Sequence, residues 1–519
     1  MQSEQENNKR IAKNTVYLYL RMVVMILVSL YTSRIVLETI GVSDYGIYSV
    51  IGGIIGMLGY ANSLLAGGIS RFLTIGLGEG NDNKLRIIFS TTLSVTLISS
   101  SLVLVLGETI GLWFVNNEMN IPEDRMLAAN WVYQCAIISS CLTIIQSPYA
   151  ASVISHERMN VYAYMSLFDA TIKLLIVYLL VMFSYDKLIM YAILLLLANI
   201  LNIVIYRIYC VKQFHECRSL KLSLSKSLLA EMLSYNSWNM VGGLAGVLAN
   251  HGVNIIVNIF FGTVVNAARG IANQVQTLFN TLYGNFQMAA NPQLIKYYSQ
   301  KDMHGMHSLA INTSRYCGYL LLCAVVPAAV NVDGLLAIWL KEVPPYTADF
   351  SICCMIYSLS MAIDAPLGNS IHAVGRMKWP NLSTALVNMC VFPMTYIAFA
   401  FGGHPAWGYI LHICSVLICT GIDLFIVKRF INFPVMRFIN SAILPVWGMF
   451  LLTLVVPVTV RYYIGNDSPL ATIGCCSISL VTTLVMIFFI GLPDYMREKM
   501  LKKARVYLGH GCIDNNSKL

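Results

Sequence analysis

The chain has 519 residues, of which 57% are hydrophobic and only 11% are charged. Its mean hydropathy is +0.67, and the charged fraction is about half that of an ordinary soluble domain. This composition excludes a soluble globular protein and indicates an integral membrane protein. The net charge of +9 does not indicate nucleic acid binding, because the basic residues concentrate in connections between hydrophobic stretches.

Hydrophobic stretches long enough to cross a bilayer as helices recur along the whole chain. They predict an all-α polytopic membrane protein with about fourteen transmembrane helices, because the stretches are too long for the strands of a membrane barrel. The expected spans lie near residues 12–37, 46–70, 87–115, 127–153, 161–183, 187–210, 234–261, 264–291, 308–332, 349–374, 379–401, 407–427, 439–463 and 470–492.

The distribution of Lys and Arg predicts the orientation of the chain. With the N-terminus in the cytoplasm, most of the 34 basic residues fall on the cytoplasmic side, and the exceptions outside are Arg34, Arg125, Lys187, Lys341 and Arg461. An excess of basic residues in cytoplasmic loops is the rule for helical membrane proteins. We therefore expect both termini in the cytoplasm.

Two halves of the chain share residues at nearly the same spacing, which predicts an internal repeat. The matched positions are Pro148 with Pro366, Ser152 with Ser370, Arg158 with Arg376, Met159 with Met377, and Gly41 with Gly262. Each repeat holds six spans, an even number, so the halves are expected to be parallel lobes related by an axis along the membrane normal.

The repeat predicts five regions. They are an N-terminal six-helix lobe at 1–210, a cytoplasmic interlobe linker at 211–233, a C-terminal six-helix lobe at 234–437, two additional helices at 438–493, and a basic amphipathic cytoplasmic tail at 494–519. The tail has apolar and basic residues on opposite faces, which indicates a helix on the membrane surface that is attracted to anionic lipids.

One face of the eighth span is polar from end to end. Residues at steps of three and four share a face of a helix, and the polar face consists of Asn266, Arg269, Asn273, Gln276, Asn280, Gly284, Gln287 and Asn291. We call this face the polar stripe. Unpaired polar groups are costly in lipid, so the stripe must face a wet cavity or another polar helix. We expect it to line the cleft between the lobes and to contact substrate.

Charged side chains within spans are the next candidates, because an ionised group in the bilayer needs water or a partner. Arg21 and Arg269 either extend to the membrane surface or line the cleft, where they would suit an anionic group in transit. Asp169 and Lys173 are one turn apart, so they form either a structural ion pair or a pair from which substrate or a coupling ion displaces one member.

Asp364 lies just before Ala365 and Pro366 in the tenth span, where proline leaves carbonyl groups without helical partners. The carboxylate is a candidate Na⁺ or H⁺ site, or else it caps the distorted helix. In the seventh span, Asn250 and Asn254 recur one turn apart and are expected to add substrate contacts.

The sequence has no catalytic motif. It lacks a phosphate loop and the zinc-protease pattern, and its 14 Cys are scattered without metal-ligand spacing. We therefore expect no enzymatic activity, no metal and no cofactor. Because no loop is long enough to hold an ATPase domain, energy is expected to come from an ion gradient or a substrate gradient.

Several segments resemble one family of bacterial transporters. The segment 261–275 (FGTVVNAARGIANQV) with 291–293 (NPQ), the opening 10–15 (RIAKNT), the stretches 30–34 (LYTSR) and 41–48 (GVSDYGIY), and Gly375-Arg376 carry the resemblance. The chain resembles polysaccharide-unit flippases for O-antigen or capsule repeats. These form the Wzx-like branch of the multidrug/oligosaccharidyl-lipid/polysaccharide exporter superfamily.

The resemblance implies two six-helix lobes plus two helices, alternating access, and transfer of an undecaprenyl-pyrophosphate-linked oligosaccharide to the outer leaflet. It implies a bacterial cytoplasmic (inner) membrane location. In related lipid-linked peptidoglycan-precursor flippases, arginines on spans 1, 2 and 8 contact the anionic head group. Arg21 and Arg269 lie on two matching spans and are assigned that role by the resemblance.

The function we expect is flipping of lipid-linked oligosaccharide, with membrane lipids, H⁺ or Na⁺, and a polysaccharide polymerase machinery as partners. The alternative is a cation-coupled multidrug or metabolite exporter of the same fold, which is less favoured because cationic drugs require acidic cavity residues. A membrane-bound polymerase or ligase is disfavoured by the short outer loops. A non-transporting scaffold is disfavoured by the polar stripe.

Overall fold

The computed structural model describes residues 24–501, except 79–81, 157, 183–184, 219–221, 376–377, 465–467, 495 and 499–500, and at some further helical positions it describes the backbone alone. Arg21 and most of the predicted basic tail lie outside the described residues. Their expected roles therefore remain predictions.

The described chain is helical throughout and contains no strand, which confirms the predicted all-α class. The main helices are α1 (24–40), α2 (Val42–Gly78), α3 (Asp82–Leu106), α4 (Met126–Ser155), α5 (Met159–Met182), α6 (Lys187–Gln213), α7 (Lys226–Val247), α8 (Val253–Ser299), α9 (Met303–Val330), α10 (Val332–Trp339), α11 (Thr347–Val374), α12 (Lys378–Ala400), α13 (Trp407–Ile431), α14 (Leu444–Ile464) and α15 (Pro469–Met486). Four π-helical turns, at Gly107–Gly111, Leu248–Gly252, Ile439–Ile443 and Ile487–Gly491, extend or join these helices.

Within the described residues, 11 helical segments are long and apolar enough to cross a membrane. One of them, Val241–Gly284, overlaps both the seventh and the eighth predicted spans. The two predicted spans are separated by a sharp bend at Gly262, whose φ of 75° lies outside the helical region. Helix α1 lies in the described part of the first predicted span, and α2 contains the second, so the chain has the architecture of a polytopic membrane protein.

The chain divides into two compact units. Unit 1 comprises Met1–Leu278, Trp339–Cys354 and Arg376–Ile422, and unit 2 comprises Phe279–Ile338, Met355–Gly375 and Asp423–Leu519. The boundaries of these units do not coincide with the predicted division at 210 and 234. The two-lobe organisation therefore stays a prediction.

Small residues bring the helices of unit 1 close together. A Cβ atom on Gly46 in α2 would overlap the backbone carbonyl of Thr263, and the hydroxyl groups of Ser43 and Thr263 are 3.2 Å apart. A Cβ atom on Gly270 in α8 would lie 2.6 Å from the hydroxyl oxygen of Ser49. Close backbone approach is the usual role of small residues between membrane helices, and here it packs α2 against α8.

Unit 2 has its own close helix contacts. Gly318 in α9 packs against Val446 in α14, and the Ser314 hydroxyl donates a hydrogen bond of 2.8 Å to the carbonyl of Ile363 in α11. Polar side chains that bond to backbone carbonyls of neighbouring helices are common in membrane bundles. Helix α9 is therefore joined to both α11 and α14.

Some of the positions that were matched between the two halves of the sequence share local geometry. Gly41 and Gly262 both have positive φ, 85° and 75°. Ser152 donates to the Pro148 carbonyl at 3.0 Å, and Ser370 donates to the Pro366 carbonyl at 2.8 Å. In each case the hydroxyl bonds to the carbonyl of a proline inside its own helix. These similarities are consistent with the repeat, which stays a prediction.

Candidate functional site

Unit 1 contains a cavity of about 890 Å³ between α2, α4, α5, α6 and the bend-flanking parts of α8. We call it the main cavity. Of the residues proposed from sequence, it brings together Asp169, Lys173, Asn254 and Asn273. The rest of its polar lining is mostly amide, hydroxyl and phenol groups, contributed by Tyr45, Tyr48, Ser139, Thr143, Tyr162, Ser166, Asn199, Asn202 and Gln274. Such groups donate and accept hydrogen bonds without carrying charge.

The charges of the main cavity are balanced. Lys173 donates a hydrogen bond of 2.7 Å to Asp169 one turn earlier on α5, as the spacing of the two residues predicts. The second carboxylate oxygen of Asp169 accepts from the Asn202 amide at 3.5 Å. The Lys173 side chain is 47% exposed, so its ammonium group remains accessible to a ligand.

A second cavity of about 220 Å³ lies beside the first, between α1, α2, α5, α6 and α8. We call it the side cavity. Lys173, Tyr45, Tyr48 and Gln274 line both cavities. Gln274 donates to the Tyr45 hydroxyl at 2.6 Å, while its own buried carbonyl oxygen has no hydrogen-bond partner. Gln274 was not among the residues proposed from sequence, because it lies one position outside the polar stripe.

Arg269 does not line either cavity. Its side chain is only 2% exposed; it donates a hydrogen bond of 2.9 Å to the Asn250 carbonyl and packs over the Tyr409 ring, 4.6 Å from the centroid. Asn250 belongs to the π-helical turn Leu248–Gly252, where the ordinary helical bonding pattern is interrupted. Arg269 therefore stabilises the distorted turn that precedes Asn254.

Asn254 is held in position from two sides. Its amide donates to the Ser49 carbonyl on α2 at 3.1 Å, and its carbonyl oxygen accepts from Asn266 on α8 at 2.8 Å. The residue is 3% exposed. These contacts link α2 to both sides of the Gly262 bend.

The polar stripe faces neighbouring helices along most of its length. In unit 1, Gln276 accepts from the Cys354 thiol at 3.8 Å, and Asn273 accepts from the Tyr409 hydroxyl at 3.4 Å. Of the stripe residues proposed as substrate contacts, Asn273 alone lines the main cavity. Two surroundings were expected for the stripe, a wet cavity or another polar helix. Most of the stripe therefore faces polar groups on other helices.

The same arrangement continues in unit 2. Asn280 accepts from the Ser358 hydroxyl at 3.0 Å, and Gln287 accepts from the Asn369 amide at 3.5 Å. Both partners belong to α11. Asn280 and Gln287 therefore pair with this helix, and neither lines the main cavity.

Unit 2 holds two buried carboxyl groups, Asp364 on α11 and Asp423 on α13. They are 9% and 8% exposed and lie near enough to interact electrostatically. Asp364 also interacts with Tyr283 on α8. Asp423 was not among the residues proposed from sequence, although a lone carboxylate in the apolar twelfth span indicates a candidate functional residue. No cluster of potential metal ligands occurs among the described residues.

An ion-pair network joins the beginnings of three helices in unit 1. Arg125 binds Asp44 at 2.5 Å and Asp186 at 2.6 Å. Burial raises the pKa of Asp44 despite the guanidinium. Burial also acts to raise the pKa of Asp186, but bonds from Arg125 and from the backbone amides of Leu188 and Ile189 outweigh it, so that pKa is lowered. Asp186 thus caps α6 as an anion.

The fold of the chain is similar to that of solved polytopic membrane transporters, among them a transporter of the MOP superfamily. No protein-family model matches the sequence, and no curated protein matches it. The similarity is seen in solved structures at low identity and therefore describes the fold.

The lipid II flippase MurJ, in an inward closed conformation, is similar with a TM-score of 0.64 and 12% identity, over 92% of this chain and 99% of that one. An inward-facing multidrug resistance MATE family transporter is similar with a TM-score of 0.62 and 12% identity, over 81% of this chain and 98% of that one. The MATE multidrug transporter DinF-BH is similar with a TM-score of 0.61 and 13% identity, over 81% of this chain and 95% of that one.

Proposed function

We propose that the protein is a flippase that moves undecaprenyl-pyrophosphate-linked oligosaccharide units from the cytoplasmic to the outer leaflet by alternating access. The observation that carries the proposal is the main cavity, with its neutral hydrogen-bonding lining. Its volume of about 890 Å³ lies near the upper end of the range for ligand sites, about 300–1,000 Å³. A sugar unit, rich in hydroxyl groups, is a ligand that matches such a lining.

The fold supports transport across a membrane, and the similar solved structures include both a lipid flippase and multidrug transporters. In our proposal the sugars enter the main cavity while the lipid tail stays in the bilayer. Arg21 contacts the pyrophosphate. Arg269, buried beside the cavity wall, acts by holding the π-helical turn and by adding positive charge to the surroundings of the site. Asn254 and Asn273 belong to this wall, and Asn250 accepts the hydrogen bond from Arg269.

We further propose that transport is coupled to an H⁺ or Na⁺ gradient through Asp364, together with Asp423. The protein would act in the bacterial inner membrane with both termini in the cytoplasm, and would deliver its product to a polysaccharide polymerase machinery. Two buried carboxyl groups that interact are suited to sharing a proton or holding a cation, because both cannot easily be ionised and unpaired.

The alternative is a cation-coupled multidrug or metabolite exporter, which the multidrug transporters among the similar structures favour. A cationic drug would be attracted by an unbalanced carboxylate in the cavity. The carboxylate lining the described part of the main cavity, Asp169, is already paired with Lys173. The cavity therefore suits a neutral or anionic head group better than a cation.

Reconstitution into proteoliposomes tests the proposal. Fluorescent undecaprenyl-pyrophosphate-linked oligosaccharide is added, and its transfer between leaflets is measured with and without imposed H⁺ and Na⁺ gradients. We expect transfer that depends on the protein and is stimulated by one of the gradients. Absence of transfer under every gradient, together with gradient-driven movement of a cationic dye such as ethidium, would establish the exporter instead.

A further inference from the structure

We infer that Lys173 and the side cavity form the binding site for the diphosphate of the substrate, while the main cavity receives the sugars. This inference rests on the proposed function and names the part of the site that recognises the anionic group. The ligand chemistry is a glycosyl diphosphate.

Position is the first argument. Among the described residues that line the main or the side cavity, Lys173 is the only Lys or Arg, and it lines both. A group at the junction of the two spaces can contact the link between two parts of one ligand. In a lipid-linked oligosaccharide the diphosphate is that link, because it joins the sugars to the lipid.

The lining of the side cavity is the second argument. Hydroxyl groups from Thr32, Tyr45, Tyr48 and Tyr191 surround it, and the buried Thr32 hydroxyl has no hydrogen-bond partner. Lys173 also interacts electrostatically with the Tyr48 hydroxyl. Hydroxyl donors beside one ammonium group are suited to phosphate oxygens, which accept several charge-assisted hydrogen bonds. The volume of about 220 Å³ holds a group the size of several water molecules.

The ion pair gives the site its selectivity. Lys173 is bound to Asp169 at 2.7 Å, so an incoming ligand must compete with a carboxylate for the ammonium group. A diphosphate carries more negative charge than one carboxylate and can compete, whereas a neutral glycoside cannot. When the ammonium group turns to the diphosphate, the Asn202 amide remains as a donor to Asp169.

Two variants separate ligand binding from a structural role, because each breaks the same ion pair. Lys173→Gln removes the cation, and Asp169→Asn removes its competitor. The probe is N-acetylglucosamine linked to farnesyl diphosphate, and its Kd for the purified full-length protein is measured by calorimetry. We expect Lys173→Gln to weaken binding about tenfold or more, Lys173→Arg to weaken it less, and Asp169→Asn to tighten it.

Two further probes identify the recognised group. Inorganic pyrophosphate should compete with the glycolipid in the wild-type protein but not in Lys173→Gln, and an analogue with a neutral linker should bind both proteins equally. Equal weakening by Lys173→Gln and Asp169→Asn, with equal losses of thermal stability, would show a purely structural pair and overturn the inference. So would unchanged binding by Lys173→Gln.

The proposed function is tested apart from this site. If the wild-type protein transfers lipid-linked oligosaccharide and Lys173→Gln transfers it equally well, the diphosphate site is wrong and the flippase function stands. If the wild-type protein transfers none, the function itself is wrong.

Discussion

Arg269 illustrates how a cation is accommodated inside a membrane protein. A buried charge is tolerated when hydrogen bonds and polarisable groups replace the lost water. Here the Asn250 carbonyl accepts one hydrogen bond and the Tyr409 ring covers the guanidinium face. The carbonyl belongs to a π-helical turn, where the ordinary helical bonding pattern is interrupted, so the hydrogen bond from the cation stabilises the helix distortion.

We predict that Arg269→Ala abolishes polysaccharide export and lowers stability by about 1.5–3 kcal/mol, the usual contribution of a hydrogen bond to a charged group. Arg269→Lys should preserve part of the export and part of the stability, because it keeps the charge but loses the planar contact with the Tyr409 ring. Export in cells and thermal unfolding of purified protein check this. Normal export by a normally expressed Arg269→Ala protein would exclude a role for this residue.

The sequence predicts some site residues well and others poorly. The Asp169–Lys173 ion pair follows from spacing along one helix, which needs no knowledge of the rest of the fold. The burial of Arg269 depends on Tyr409, a residue far away in sequence, so periodicity alone cannot predict it. Asp423 was accessible to the same intramembrane-charge argument as Asp364, but its proximity to that residue requires the packing of α11 and α13.

At the scale of elements, α8 shows why a polar face on a membrane helix is ambiguous. The periodicity predicts that the stripe avoids lipid, but water and a polar helix satisfy polar groups equally well. Most stripe residues described here pair with other helices, and Asn273 lines the main cavity. The bend within α8 falls at the predicted boundary between the seventh and eighth spans, at Gly262, whose φ of 75° is one that residues with a Cβ atom rarely adopt.

We predict that Gly262→Ala lowers the free energy of unfolding by about 1–3 kcal/mol, the cost of holding a non-glycine residue in such a conformation. The nearest atom to an added Cβ is the Asn120 amide nitrogen at 3.7 Å. Steric crowding therefore contributes little to the expected loss of stability, and the loss measures backbone strain. Thermal unfolding in detergent measures the effect.

Gly284 on the same helix provides the matched control. It has no atom within 4 Å of an added Cβ and no positive φ, so Gly284→Ala should leave stability unchanged or raise it by up to about 1 kcal/mol. Equal stability of the two variants would contradict the assignment of strain to Gly262.

At the scale of the whole molecule, hydropathy was sufficient to predict the fold class. The long apolar stretches and the requirement that backbone groups in lipid bond within a helix leave few other possibilities. The cavities were not predictable in the same way, because their walls come from helices widely separated in the chain, such as α2, α5 and α8. Only the packing of these helices shows that Gln274, and not Gln276, lines them.

Gradient coupling is a property of the whole molecule. We predict that Asp423→Asn or Asp364→Asn reduces gradient-stimulated transfer roughly tenfold or more. This effect lies within the usual range of coupling between sites. Transfer without a gradient should change much less, because neither residue lines the main cavity. Proteoliposomes with separate H⁺ and Na⁺ gradients identify the ion. Asp333→Asn is the control. This substitution makes the same change in charge, but Asp333 is 63% exposed and paired with Arg461. An Asp423→Asn, Asp364→Asn double variant that keeps its full response to both gradients would exclude this pair as the coupling site.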